Sequence, residues 1–171
     1  MTRRWSLALA ALVLIAVLSI VAMSRWPPIH DITTDVDDPP AFMALLPYRT
    51  GSVSPPEYDG PAAAAQQQKS YAGLRPLIVS TPPSAVFEAA ESLARDNGWQ
   101  VVAADRGAGR IEAIATTRMM RFKDDVVIRL RPEGEKTRVD MRSKSRVGVG
   151  DLGTNARRIR AFLATLAERV R

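Results

Sequence analysis

The residue types best suited to chemistry in this 171-residue chain lie in three short stretches and at one isolated position. In Arg121-Phe122-Lys123-Asp124-Asp125 two adjacent carboxylates stand beside cations, a set that can act as general acid and base or hold a divalent cation. The backbone argues against that use. Successive strand residues point to opposite faces, so Asp124 and Asp125 share a site only if the strand starts after them or bulges. A cross-strand ion pair between Asp125 and Arg142 is expected instead. From Val139 to Arg146 the alternation puts Asp140, Arg142, Lys144 and Arg146 on one side. Ser143 and Lys144 suggest a Ser/Lys dyad, but a nucleophilic serine needs a lysine in a dry pocket, and these neighbours point apart. A solvated basic stripe is the expectation.

The third stretch, Gly148-Val149-Gly150-Asp151-Leu152-Gly153, leads into a predicted helix at Thr154-Asn155. Glycine-rich backbone before a helix N-terminus is a generic anion cradle, and Lys144 and Arg146 arrive just ahead of it. The stretch lacks the Lys-Ser/Thr of the phosphate-binding loop and the spacing of the dinucleotide motif, and Asp151 or Thr154 acting as a helix cap explains the same residues. The candidate surface for an anionic ligand or partner is therefore Arg142, Lys144, Arg146, Asp151 and Asn155. His30 is the only histidine, so Ser-His-Asp catalysis and histidine-rich metal sites lack parts; it reads as a linker residue. The absence of cysteine excludes a disulfide framework, a thiolate nucleophile or metal site, and lipid attachment on cysteine. No catalytic residue, metal ligand or cofactor is assigned.

The elements that must position these residues become regular after Tyr71. Leu77 to Ser80 reads as a short strand, and Ser84 as the N-cap of a helix carrying Val86, Phe87, Ala90, Leu93 and Ala94 and stopped by Asn97-Gly98. Four strands are predicted over 99–104, 110–117, 124–131 and 137–145, joined as two hairpins by turns at 105–109 and 132–135. If Arg131 pairs with Lys136, Ile128 faces Val139, Val126 faces Met141, and Asp125 faces Arg142. A final helix over 154–170 carries the stripe Ile159, Phe162, Leu163, Leu166 and Val170. The order β-α-β-β-β-β-α predicts an α+β domain, an antiparallel four- to five-stranded sheet with two helices on one face in a helix-grip-like layout.

Ahead of that domain, 5–23 is an apolar run whose polar members are Ser6 and Ser19, long enough to cross a membrane. Arg3 and Arg4 precede it and Asp31, Asp35, Asp37 and Asp38 follow Arg25, so the positive-inside bias leaves 1–4 in the cytoplasm and the rest outside. An uncleaved single-pass anchor in the inner membrane is expected, with a cleaved signal peptide as the alternative. Residues 24–70 are proline-rich and should be extended. Trp26, Ile29, Phe42, Leu45, Leu46 and Tyr48 imply that they pack partly on the 71–171 domain, while 62–69 is expected to form a short helical turn or stay mobile.

The stretch Trp26-Pro27-Pro28-Ile29-His30-Asp31-Ile32-Thr33-Thr34-Asp35 with Pro39-Pro40, then Tyr71, Ile111-Glu112-Ala113, Arg121 to Asp125, and Ser143 to Gly148 with Asp151-Leu152-Gly153-Thr154-Asn155-Ala156, resembles the bacterial family known as domain of unknown function 1499. Val149 stands where that family commonly has a polar or basic residue. The resemblance implies a small envelope-associated domain and assigns no reaction. It draws attention to His30, Asp31, Asp35, Arg121, Asp124, Asp125, Ser143, Ser145, Arg146, Asp151 and Asn155 as the polar positions within the matching motifs.

Charge completes the expectation. The chain carries net +6, and from Arg118 to Arg171 there are 15 Lys or Arg against 7 Asp or Glu. That excess favours an anionic lipid headgroup, envelope polymer or envelope protein over nucleic acid, which a tethered extracytoplasmic domain rarely meets. A non-enzymatic, membrane-anchored binding or assembly module is expected. The alternative is a hydrolase or metal-dependent enzyme in which His30 folds back beside Asp124, Asp125 and Arg121.

Overall fold

A computed structural model describes residues 12–14 and 26–171. Its strands are β1 (Asp31–Thr33), β2 (Leu77–Val79), β3 (Gln100–Asp105), β4 (Arg110–Thr116), β5 (Lys123–Glu133) and β6 (Lys136–Ser145). Its helices are α1 (Gly60–Ser70), α2 (Pro83–Asp96) and α3 (Thr154–Arg169), with a 3-10 turn at Leu46–Arg49. The strands form one antiparallel six-stranded sheet in the order β1-β6-β5-β4-β3, with β2 also on β6. The α+β architecture agrees with the expectation, but the sheet has six strands rather than four or five. The additional strand is β1, which pairs Asp31 with Lys144 and Thr33 with Arg142, while β2 pairs farther along the same edge, from Leu77 opposite Val139 to Val79 opposite Thr137.

The transmembrane helix included in the expected architecture is a second correction. Among the described residues no helix is long and apolar enough to cross a membrane. Apart from 12–14, the segments 1–4 and 5–23 lie outside the described residues.

One sheet face carries the main core. Val86, Phe87, Ala90 and Leu93 of α2 and Ile159, Phe162, Leu163 and Leu166 of α3 meet Ile111, Val126, Ile128, Val139 and Met141. Their three- and four-residue spacing gives each helix one apolar side, and burying such side chains contributes about 1.5–3 kcal/mol each. Trp99 stacks on Phe162 with ring centres 5.1 Å apart. Gly98, at φ 72°, terminates α2 as expected, but α2 begins at Pro83, so Ser84 lies in its first turn rather than at its cap.

The opposite face is covered by the chain between Thr34 and Asp59, where Phe42 and Leu45 form a smaller core with Ile114 and Val127. The proline-rich segment is thus a strap across the sheet. Its prolines do not prevent regular structure: α1 has Pro61 in its first turn, where no intrahelical N–H is needed.

The β5–β6 hairpin is shifted by two residues from the expected register, with Glu133 opposite Lys136, Ile128 opposite Met141 and Val126 opposite Ser143. The connection is the two residues Gly134-Glu135, with Gly134 at φ 60°, instead of a four-residue loop. A slip of two keeps every side chain on its expected face, but it places Asp125 opposite Lys144 and so removes the expected Asp125–Arg142 pair.

Candidate functional site

The strap face is built on charge. Arg142, on β6, donates from Nε and Nη2 to the two Asp31 carboxylate oxygens at 2.8 Å each, and to the carbonyls of Pro40 and Pro56. Its guanidinium lies 4.5 Å from the ring centre of Phe42 and 5.6 Å from that of Tyr58. The Lys144 ammonium donates to Asp59 Oδ1 and the Glu57 carbonyl, both at 2.6 Å, and lies 3.3 Å from Asp31. Arg146 binds Asp125 through Nε and Nη2 and the Tyr48 carbonyl through Nη1, while Arg49 reaches Asp125 from the strap. Arg142 and Lys144 are 2% and 0% exposed. The expected solvated basic stripe is therefore a buried lock, because Asp31, Asp59 and the strap carbonyls cover it. A charge can be held this far from water only when each donor finds an acceptor.

A second cluster closes the other end of the strap. Arg129, Arg131 and Arg138 converge on Asp35 and Asp140, with Asp38 at the margin. Burial works to raise the Asp35 carboxyl, but the Asp38 N–H and the three arginines outweigh it and hold that group below the ordinary carboxylate range. Glu112, buried in β4, accepts the N–H groups of Met43 and Leu45.

The other sequence-selected residues are dispersed. Asp124 lies on the helix face and binds Arg158 of α3 at 2.6 Å, so the adjacent carboxylates occupy opposite sides of the sheet. Arg121 is exposed in the β4–β5 loop at φ 57°. His30 Nε2 lies 3.1 Å from Ser54 Oγ and 3.7 Å from Asp59. Serine and carboxylate share that nitrogen, whereas a relay needs the carboxylate on the other one, and Nδ1 is buried without a partner. The convergence of His30 with Asp124, Asp125 and Arg121 that the enzyme alternative requires is not formed. Among the described residues no three His, Asp or Glu side chains gather as a metal-binding group.

Asn155 is buried at the start of α3, where it accepts from Ser143 Oγ at 2.6 Å and donates to Ser145 Oγ and to the His30 carbonyl. Asp151 accepts the N–H groups of Gly153 and Asn155 at 2.8 and 2.6 Å. The α3 N-terminus thus already holds a carboxylate, and Lys144 and Arg146 point to the other face, so the expected anion cradle is filled by the chain itself. Burial, reinforced by Asp124, raises the Asp151 carboxyl above its ordinary value despite the two N–H donors.

An open cleft of about 450 Å³ remains beside this cap, lined by Thr117 and Phe122 of the β4–β5 loop and by Asp124, Ser145, Val147, Gly148, Gly150, Asp151 and Thr154. The carboxylates at its floor are engaged by Arg158 and by the cap. Around it stand Met119, Met120, Phe122, Val147, Val149 and Leu152, all exposed, with Met119 at 89% and Val149 at 81%. Trp26, half exposed, lies against Gly153, and Pro27 and Pro28 lie against Gly150.

The family described as protein of unknown function (DUF1499) matches residues 31–166, from the first residue of β1 into α3. The chain belongs to this family. The DUF1499 match begins at Asp31, the residue that locks the strap. No curated protein matches the chain. Among solved structures the chain is similar to the crystal structure of TTHA0849 from Thermus thermophilus, at 18% identity over 56% of this chain and 93% of that one, with a TM-score of 0.32.

Reading the sequence missed Arg49, Asp59 and Gln67, whose roles depend on contacts distant along the chain. It also passed over Met119, Met120 and Phe122, although three apolar residues among three cations in an interstrand connection are a readable signal.

Proposed function

We propose that this DUF1499 member is a non-catalytic binding or assembly module working outside the cytoplasm at the inner membrane, and that its contact surface is the loop end around the Phe122 cleft. The observation that carries this reading is the ring of exposed apolar side chains from Met119 to Phe122 and Val147 to Leu152. Contiguous apolar exposure of this kind marks interaction sites, whereas the charged groups beneath the strap are already paired. This surface replaces the basic surface expected from Arg142, Lys144 and Arg146. The location is part of the proposal and is supported by the apolar run at 5–23 and its flanking charges. A photo-crosslinking residue placed at Phe122 in living cells should yield adducts that the same residue at Glu135, in the turn at the far end of β5, does not. Equal labelling at both positions, or none at Phe122, overturns the reading.

A further inference from the structure

We infer that the occupant of this loop end is an anionic phospholipid surface; the inference rests on the reading above and names its partner. The connection Arg118-Met119-Met120-Arg121-Phe122-Lys123 is exposed throughout and contains three cations, three apolar side chains and no acid. Across the cleft, Val147, Val149 and Leu152 are exposed, while Asp151, the acidic residue of that loop, is turned inward to the α3 cap. Arg157 lies over the Trp26 ring at 5.2 Å, which adds a cation and an interfacial aromatic to the same rim. The exposed charge of these two loops is therefore of one sign around an apolar centre. Such a surface inserts side chains among acyl chains while its cations meet headgroup phosphates. A soluble acidic protein would satisfy the cations and leave Met119 and Val149 wet.

Trp26 packs against Gly153 and Pro28 against Gly150, so the first residues of the strap lie at this rim and not at the β5–β6 turn.

The chain contains no cysteine, so a single introduced one can be labelled without competition. The full chain carrying Met120→Cys, or in a second protein Val149→Cys, is labelled with a polarity-sensitive dye and reconstituted into vesicles of phosphatidylcholine alone or with phosphatidylglycerol. Both dyes should shift to the blue and be quenched by brominated acyl chains in the anionic vesicles. The three loop cations together correspond to about a hundredfold preference for anionic over neutral lipid. High salt and the double substitution Arg118→Gln/Arg121→Gln should each reverse the shift, and a dye at Glu135→Cys should stay in water. If both loop dyes remain in water on anionic vesicles while circular dichroism reports the native fold, the lipid inference fails. If they become shielded only when membrane proteins are added, the inference fails while the loop end stands as the contact surface.

Discussion

Arg142 shows what a single side chain does in this fold. Its bidentate contact with Asp31, two strap carbonyls and two flanking rings leave almost none of its donors free, and it is out of water. Removing one partner strands a buried charge, which costs about 3–5 kcal/mol. Arg142→Met and Asp31→Leu should each lower the free energy of chemical unfolding by that amount, and the double variant should lose less than the two singles combined. Arg142→Lys should not rescue, because an ammonium cannot reproduce the planar fork. Tyr58, on the same lock, behaves differently. Burial first, then the charges of Asp31 and Asp59, push its hydroxyl up to about 12 from 10.0, against the pull of Arg142. The folded state keeps this proton longer than the unfolded chain. Its contribution is therefore fully present below pH 10 and is lost as pH rises through about 12. Tyr58→Phe should be close to neutral at pH 7, since the hydroxyl has no hydrogen-bond partner, and should lose less melting temperature than the parent between about pH 10 and 12.

At the scale of elements, β1 is a three-residue edge strand, too short to hold itself on β6. Gln67 of α1 donates to the Thr33 carbonyl at 2.7 Å and accepts the Thr33 N–H at 2.9 Å, replacing the neighbouring strand that an edge lacks. Gln67→Leu leaves both backbone groups unpaired, at about 1–3 kcal/mol each. Amide exchange in 31–33 should accelerate while that of β5 stays slow; uniform acceleration would mean that the whole fold, and not the edge, depends on Gln67. Neither β1 nor its seal was legible in the sequence, because both depend on pairings more than thirty residues apart. What was legible is what local chemistry decides: α2 and α3 from apolar spacing, Gly98 as a stop, and the inward faces of β5 and β6. The hairpin register was misread because Pro132 and Glu135 made the turn look longer than its two residues. The Arg142 stripe was misread as solvated because alternating charge on a strand ordinarily faces water. Only the strap, itself disguised by its prolines, makes that face an interior.

At the scale of the molecule, two systems of positive charge stand apart from the arginine cluster on Asp35 and Asp140. One lies under the strap, where Arg49, Arg142, Lys144 and Arg146 meet Asp31, Asp59 and Asp125 with little solvent between them. The other is the exposed loop end, with Arg118, Arg121 and Lys123 facing outward. Mobile ions screen the second and scarcely reach the first, since the screening length falls from about 10 Å at 0.1 M to about 3 Å at 1 M salt only where water penetrates. Raising sodium chloride across that range should therefore move the melting temperature of the parent by no more than about 3 °C, because the strap pairs of Arg49, Arg142 and Arg146 are buried. Arg118→Gln/Arg121→Gln should leave the melting curve unchanged at either salt, as exposed surface charges contribute little to the fold. A large salt-induced drop in melting temperature would mean that water enters beneath the strap and that the two systems are one.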